Sequence, residues 1–396
     1  MSGVLEEAMN LWSYGLNGVP DKCVCADHIE DTAVRQFVKR NGEKGCCDYC
    51  GKTKAVAELE KVMIFLMETV CNFYTEAAEF APYNSAEGGY LTQTFDGWEI
   101  LEDKFQLEIN NSKLYDDMRD SIDYGRSWAS EQEFHGTGPD RRFLSWEKFT
   151  HIVKHRVRYQ FQYYTDYSDT WEVPIDPARI LKEIGKLVKK YKLYSVLSEG
   201  QRLHRARQHS NEDTPNKKEE LCAPDDRFTK NVNRMSPAGI SMFYAAFELE
   251  TALLETLYED DEMKKITHVQ FGLKSSVNVI DLSKLPDVPS PFDQNKREKY
   301  LEIVFLHSLV RDLAKPIKRN GMVHIKYVPT QIITEYFRYG LKQQIDGLIY
   351  PSTKNKGKKA IVLFYGHYES MEHLQFVEAT LETHEIEEYK DLFKEL

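Results

Sequence analysis

The segment Asn233–Glu255 reads NRMSPAGISMFYAAFELETALLE and carries the most informative fold signal in the chain. Its Ser-Pro-Ala-Gly run favours a turn directly after Arg234. The apolar and aromatic run that follows predicts a short strand ending near Tyr244. From Phe247 onward, apolar residues recur at helical spacing, which predicts a largely buried helix. We expect the chain as a whole to belong to the α+β class, with a mainly helical N-terminal region.

Glu255 lies in the apolar part of this predicted helix, between Leu254 and Thr256. A carboxylate in such a place needs a partner or a chemical role, because burying a charge is costly. Two interpretations stay open from spacing alone. Glu255 is either a solvated residue at the edge of the helix or a functional carboxylate.

Two other segments are predicted to meet this one in space. The run LHRAR, Leu203–Arg207, places Arg205 at a strand-like position. Near the C-terminus, Gly347–Tyr350 and Ala360–Tyr365 are apolar runs separated by a Lys/Gly-rich turn, which predicts strand, turn and strand. Ser352 then lies at a strand end, where a rigid sheet presents reactive groups.

The order of these residues resembles the RES domain, a family named for its arginine, glutamate and serine. The resemblance covers about Tyr194–Gly366. It rests on Arg205, Arg234, Tyr244, Glu255, the YVPTQ segment Tyr327–Gln331 and Ser352. What the resemblance implies is a C-terminal mixed α/β domain related to ADP-ribosyltransferases. It also implies a toxin-type enzyme that degrades NAD+ by cleaving the nicotinamide–ribose bond, with phosphate or water as acceptor.

The residue types suit that chemistry. Cleavage builds positive charge on the ribose C1, which a carboxylate such as Glu255 stabilises. Arginine forks pair with pyrophosphate oxygens, or one of them could hold an incoming phosphate. Tyr244 offers a ring for stacking and a hydroxyl for orientation, and Ser352 is interpreted as a positioning donor. The predicted catalytic residues are Glu255, Arg205 and Ser352, and the predicted substrate-binding residues are Arg234, Tyr244 and Gln331.

Two further residues near these motifs have competing interpretations. Gln331 either binds substrate or caps the first turn of its own helix. His204 is left out of the predicted site, because beside Arg205 on a strand it faces the opposite side.

Five of the seven cysteines and a histidine lie within residues 23–50. One set gives C-x2-H, a spacer of eighteen residues and C-x2-C: Cys25, His28, Cys47 and Cys50. Paired sulfur and imidazole ligands at such spacing are typical of tetrahedral Zn2+, and four protein ligands predict a structural ion. Cys23 could replace Cys25, and Cys46 could replace Cys47. The alternative is a set of free thiols.

The chain of 396 residues is predicted to form three parts. Residues 1–54 form a zinc-binding segment, 55–175 a helical domain, and 176–396 the RES-like domain. Apolar residues at helical spacing from Val56 onward predict a helix of six or seven turns. The C-terminal EATLETHEIEEYKDLFKEL predicts an acidic amphipathic helix packed on the domain or on a second subunit.

A helical N-terminal region with a zinc-like knuckle resembles the HEPN-type domain found ahead of some RES domains. HEPN ribonucleases use an arginine followed a few residues later by a histidine. Arg142 lies too far before His151 to match that pattern. The sequence therefore does not predict RNA cleavage.

Composition and charge indicate where the protein acts and which kinds of partner it binds. No stretch approaches eighteen apolar residues, and acidic residues occupy the first segment, so we expect a cytoplasmic protein that neither spans a membrane nor is secreted. A net charge of -11 argues against a general nucleic-acid binder. The expected partners are NAD+, inorganic phosphate, an antitoxin or trigger protein, and a second copy of the chain. Alternative functions are an ADP-ribosyltransferase that modifies a protein partner, or a binding module with an inactive RES domain.

Overall fold

The computed structural model describes residues 11–86, 88–130, 142–164, 177–258, 262–315 and 321–389. The chain divides into two compact units. The first unit takes the described residues up to 144 together with 287–304, and the second takes the other described residues. The predicted boundary at 175–176 lies outside the described residues, and the predicted division into three parts stays a prediction.

The first unit mixes short strands and helices. Its three-stranded antiparallel sheet has the order β1-β3-β2. The strands of this unit are β1 Cys23–Cys25, β2 Glu43–Cys46, β3 Thr53–Glu58, β4 Thr75–Glu76, β5 Tyr83–Asn84, β6 Gly89–Tyr90 and β7 Trp128–Ala129. Its helices are α1 Thr32–Asn41, α2 Leu59–Phe73, α3 Ala77–Phe80, α4 Gly97–Glu99 and α5 Ser112–Asp120.

The predicted helix from Val56 is shorter in the structure. Val56 belongs to β3, where its backbone pairs with Cys25 on one side and Glu43 on the other. Because the backbone of this segment is hydrogen-bonded in the sheet, it cannot join the helix, and α2 begins only at Leu59. From there Leu66 and its apolar neighbours are buried in the core of the unit. The predicted division after residue 54 therefore falls inside a strand.

The second unit is built on an eight-stranded mixed sheet with the order β15-β11-β9-β10-β14-β13-β12-β8. The strands are β8 Tyr194–Leu197, β9 Arg202–His209, β10 Phe243–Ala246, β11 Lys265–Leu273, β12 Val277–Asp281, β13 Gly347–Pro351, β14 Lys359–Leu363 and β15 Leu374–Glu385. The helices are α6 Arg142–His155, α7 Pro177–Lys190, α8 Lys218–Leu221, α9 Leu249–Thr256, α10 Arg297–Ala314, α11 Val323–Lys326, α12 Val328–Glu335 and α13 His367–His373, where the first turns of α6 and α10 belong to the first unit.

One face of this sheet is apolar. Residues that pair across neighbouring strands share a face. Phe243 pairs with Leu363, which also pairs with Gly347, and these positions alternate with the opposite face along each strand. Leu203 and Phe271 pair with each other and join the same buried cluster. We call this side the apolar face.

The opposite face carries two tyrosines, and we call it the tyrosine face. Tyr244 lies beside Val362, and Tyr350 lies two residues further along, beside Ala360. Helix α9 covers part of this face, because Leu253 packs in one buried cluster with strand residues of β9 and β11. The predicted strand, turn and helix around Glu255 are thus confirmed, as are the two strands that flank the Ser352 turn.

The prediction of a C-terminal helix is wrong for the described residues. The chain from Leu374 to Glu385 forms β15, which pairs with β11 from Leu273 to Lys265. Its backbone hydrogen bonds go to a strand about a hundred residues earlier, a contact that local spacing cannot reveal. Only the short 3₁₀ turn Ile386–Tyr389 follows in the described part of the chain. Within that part, no helix is long and apolar enough to cross a membrane.

Candidate functional site

A hydrogen bond joins the two residues at the centre of the predicted site. The Ser352 hydroxyl donates to Oε1 of Glu255 over 2.5 Å. Ser352 is buried at the end of β13, and Glu255 is half-buried near the end of α9. The carboxylate therefore has the partner that its apolar surroundings require.

Residues of the loop that follows Ser352 form hydrogen bonds to the C-terminal part of helix α9. The Lys354 ammonium donates to the carbonyl oxygens of Leu254 and Leu257, each over 2.8 Å. The Asn355 side chain donates to the hydroxyl of Thr251 over 3.1 Å. Terminal helix carbonyls lack partners within the helix, and a cation beside them is stabilising. These bonds fix the position of Glu255 relative to the sheet.

Tyr244 points its hydroxyl at the turn predicted after Arg234. The hydroxyl accepts a bond from the backbone N–H of Met235 over 3.2 Å and lies 3.0 Å from the Ser236 hydroxyl. Burial raises the pKa of Tyr244 to about 12, so its phenol is neutral at physiological pH. The ring is thus held in one orientation on the tyrosine face.

Gln331 anchors the same turn from another part of the chain. Its buried side chain donates to the carbonyl oxygens of Asn233 and Ser236, over 2.9 and 3.2 Å. It does not cap its own helix, because its amide bonds to a segment almost a hundred residues earlier. The structure thus places Gln331 behind the turn that holds Tyr244, and its role in substrate binding stays a prediction.

Arg234 lies at the start of this turn and is half-buried. Its Nη1 donates to the carbonyl oxygens of Leu313 and Lys315, each over 2.8 Å. Its guanidinium also lies 5.5 Å from the centre of the Tyr327 ring. In the described part of the chain, Nε and Nη2 have no hydrogen-bond acceptor, so two nitrogens with three N–H donors remain for an anion.

Tyr350 lies among the predicted residues although the sequence analysis did not select it. Burial raises the pKa of Tyr350 well above its ordinary value. The nearby charge of Glu255 adds to this increase, whereas the positive charge of Arg234 opposes it. The charges of Glu255 and Arg234 thus both act on this phenol. A tyrosine two residues before Ser352 on a strand shares its face, and this signal could have identified it.

The structure does not bring Arg205 into this group. Arg205 pairs with Val269 in the register of the apolar face and lies 4.8 Å from the centre of the Phe243 ring. Its Nη1 and Nη2 donate to the carbonyl oxygens of Tyr244 and Cys222, over 2.6 and 3.1 Å. Burial lowers the pKa of Arg205 to about 10. Its catalytic assignment stays a prediction, and its observed contacts hold β10 in place.

His204 lies on the face opposite Arg205, as predicted, and this is the tyrosine face. It pairs with Ala246 and so shares the tyrosine face, while its neighbour Arg205 takes the other one. The predicted alternation of the two residues is confirmed, and which of them takes part in the site stays a prediction. Burial lowers the pKa of His204, and the negative charge of Glu248 opposes that effect.

Four predicted metal ligands come together in the first unit. Cys25 ends β1, and His28 ends the 3₁₀ turn that follows it. Cys47 and Cys50 lie in the tight turn between β2 and β3, where Gly51 has a φ of 66° that favours glycine. One ligand atom from each of the four residues lies within 4.8 Å of the other three.

The donor set fits a zinc ion. Thiolates about 2.3 Å from a tetrahedral ion are separated by about 3.8 Å. The sulfur atoms of Cys25 and Cys50 lie 3.9 Å apart, close to that value. The buried Nε2 of His28 has no hydrogen-bond partner among the described residues, as expected of an atom that serves as a ligand. Cys46 is exposed, so the geometry selects Cys47.

Two protein-family models match the chain. Residues 40–167 match the model of HEPN/RES N-terminal domain 1, and residues 202–380 match the model of the RES domain. The chain therefore carries an HEPN/RES N-terminal domain followed by a RES domain, a family of toxin domains. Both resemblances stated from the sequence are confirmed. No curated protein and no solved structure matches the chain.

Proposed function

We propose that the RES domain degrades NAD+ by cleaving its nicotinamide–ribose bond, with phosphate or water as acceptor. The observation that carries the proposal is the carboxylate of Glu255, which accepts a hydrogen bond from Ser352 at the tyrosine face. Cleavage breaks the bond between the ribose C1 and the pyridinium nitrogen, and neutral nicotinamide leaves with the electron pair. A phosphate or water oxygen then bonds to C1, and water loses a proton in that step.

Each residue has a role in this reaction. The Glu255 carboxylate faces the positive charge that develops on the ribose, so it stabilises the transition state more than the ground state. Ser352 orients that carboxylate. The free donors of Arg234 pair with the pyrophosphate or with the incoming phosphate. Tyr244, with its hydroxyl already bonded to the turn, offers its ring to a base.

Arg205 acts in this proposal as a positioning residue. It bonds the carbonyl oxygen of Tyr244 from the apolar face and so fixes the strand that carries the tyrosine. Its guanidinium bonds the backbone of Tyr244, whereas the proposal places the ring of that residue beside NAD+. Gln331 has the same kind of role for the turn around Ser236.

The test is NAD+ consumption by the purified full chain with and without inorganic phosphate, followed by mass of the products. The variants are Glu255→Gln and, as a matched control, Glu250→Gln, an exposed glutamate on the same helix. We expect phosphate-dependent loss of NAD+ and a phosphorylated ADP-ribose, both abolished only in Glu255→Gln. Loss of NAD+ without phosphate would identify hydrolysis. Intact NAD+ in every reaction at substrate-level enzyme would contradict the proposal.

A further inference from the structure

A second cluster of metal-type ligands lies far along the chain from the cysteines. His268 on β11 pairs directly with Glu382 on β15, and His384 follows two residues later. One ligand atom from each of these three residues lies within 4.8 Å of the other two. The two imidazole rings are stacked, with centres 5.4 Å apart and planes at 8°. Strand pairing thus presents two imidazoles and a carboxylate at one point.

The spacing of the ligand atoms matches that of a bound ion. Nitrogen and oxygen ligands about 2.0–2.2 Å from a tetrahedral ion are separated by about 3.3–3.5 Å. Oε2 of Glu382 lies 3.5 Å from Nε2 of His268 and 3.3 Å from Nε2 of His384. These two nitrogen–oxygen separations therefore match those between ligands of a single ion.

His268 supplies an independent observation. Its side chain is 6% exposed, and its buried Nε2 forms no hydrogen bond with a described residue. Buried polar atoms are nearly always satisfied, so an unsatisfied nitrogen directed at a carboxylate requires an explanation. A cation between the two groups would satisfy the nitrogen and neutralise the carboxylate.

A second carboxylate orients His384. Oε2 of Glu388 lies 3.2 Å from its Nδ1. In metal sites the ligating histidine usually donates its other ring N–H to a carboxylate, which fixes the tautomer and leaves a lone pair on the ligating nitrogen. With Nδ1 as donor to Glu388, the lone pair of His384 lies on Nε2, the atom beside Glu382.

We propose that His268, Glu382 and His384 bind a divalent transition-metal ion, with zinc as the best match to two imidazoles and a carboxylate. Three protein ligands leave a coordination position for water or another small ligand. Glu382 and Glu388 are exposed, so the ion enters from solvent. The site joins β15 to β11, and its occupancy is independent of the NAD+ chemistry.

The test uses the full chain and Co2+ as the probe. Co2+ bound at the cysteines gives intense sulfur-to-metal charge-transfer bands, whereas an N/O site gives only weak visible bands. Equilibrium dialysis with elemental analysis counts the ions, and visible absorption assigns each to its site. We expect two equivalents, the second without charge-transfer bands.

Three variants and a control locate the second ion. His384→Gln and Glu382→Gln should remove the second equivalent, and both positions are exposed enough for the variants to fold. Glu388→Gln should weaken its binding about 10–100-fold. His373→Gln on α13 lies outside the cluster and should bind both ions like the parent chain. Uptake of one equivalent only, or a second equivalent that survives in His384→Gln, would overturn the proposal.

Discussion

The two faces of the eight-stranded sheet each hold a predicted functional arginine, yet the surroundings of the two differ. On the apolar face, Arg205 spends both terminal nitrogens on backbone carbonyl oxygens and lies against the Phe243 ring. At the tyrosine face, Arg234 bonds two carbonyl oxygens through Nη1 alone, and its positive charge opposes the rise in the pKa of Tyr350. We therefore expect the role of each motif arginine to depend on the face at which it lies. Changes on the tyrosine face should affect activity, and changes on the apolar face should affect stability.

Glu255→Gln should give the largest effect and leave stability almost unchanged. Glutamine still accepts the Ser352 hydroxyl bond but lacks the charge that stabilises the developing cation. We expect kcat for NAD+ cleavage to fall about 10²–10³-fold, the usual result of removing one electrostatic stabiliser. NAD+ turnover and urea unfolding measure the two properties. If Glu255→Gln lowered the free energy of unfolding as well as kcat, activity and stability would not be divided between the two faces.

Arg205→Met should lower the free energy of unfolding by about 2–3 kcal/mol. The reason is that the carbonyls of Tyr244 and Cys222 lose a charged donor in buried surroundings. Urea unfolding measures the loss, with Arg207→Met, an exposed neighbour on the same strand, as the control. A stable but inactive Arg205→Met chain would restore the catalytic role that the sequence motif suggests.

Tyr244 should make the folded state sensitive to alkali. Because its pKa is raised to about 12 in the folded state, the unfolded chain loses this proton first, near the ordinary value of about 10. Stability therefore falls as pH rises from about 10 to about 12, and below that window Tyr244 adds no pH dependence. Tyr244→Phe should remove about 1 kcal/mol of the fall at pH about 11. Urea midpoints at pH about 9 and about 11 test this. The same fall in the urea midpoint between these two pH values in Tyr244→Phe and in the parent chain would contradict the prediction.

Lys354→Met should have the smallest effect, a loss of about 0.5–1 kcal/mol of stability. The ammonium no longer bonds the carbonyl oxygens at the end of α9, although the methionine stem keeps most of the apolar contact. Thermal unfolding measures the change, and Lys356→Met, exposed in the same turn, should show none. If Lys354→Met strongly lowered NAD+ turnover while its thermal unfolding changed little, Glu255 would depend on the bonds that hold α9.

Local patterns predicted the strand, turn and helix around Glu255, and the spacing of Cys25, His28, Cys47 and Cys50 predicted a cluster that the structure assembles. These features depend on residues close in sequence, so local periodicity and motif spacing contain them. The C-terminal strand was missed because its partner, β11, lies about a hundred residues away. The cluster at His268 was missed for the same reason, since its ligands meet only when β15 pairs with β11.

The sequence also could not show which face of the sheet each of these residues occupies. Alternation along LHRAR shows that His204 and Arg205 face opposite ways, but not which of them faces Glu255. That choice is fixed by the pairing of His204 with Ala246. The position of Tyr350 follows from the same pairing pattern, because it shares the face of Tyr244.

The turn after Ser352 has a consequence for how this domain tolerates change in length. The turn bonds helix α9 at three different points, through Ser352, Lys354 and Asn355. Its length is therefore matched to the spacing of those points on the helix. One inserted residue would shift two of the three bonds out of register. Surface turns usually accept insertions freely. This turn should keep its length and its Gly357, whose φ of 80° favours glycine, while its exposed lysines vary, and inserted tags or cleavage sites belong elsewhere.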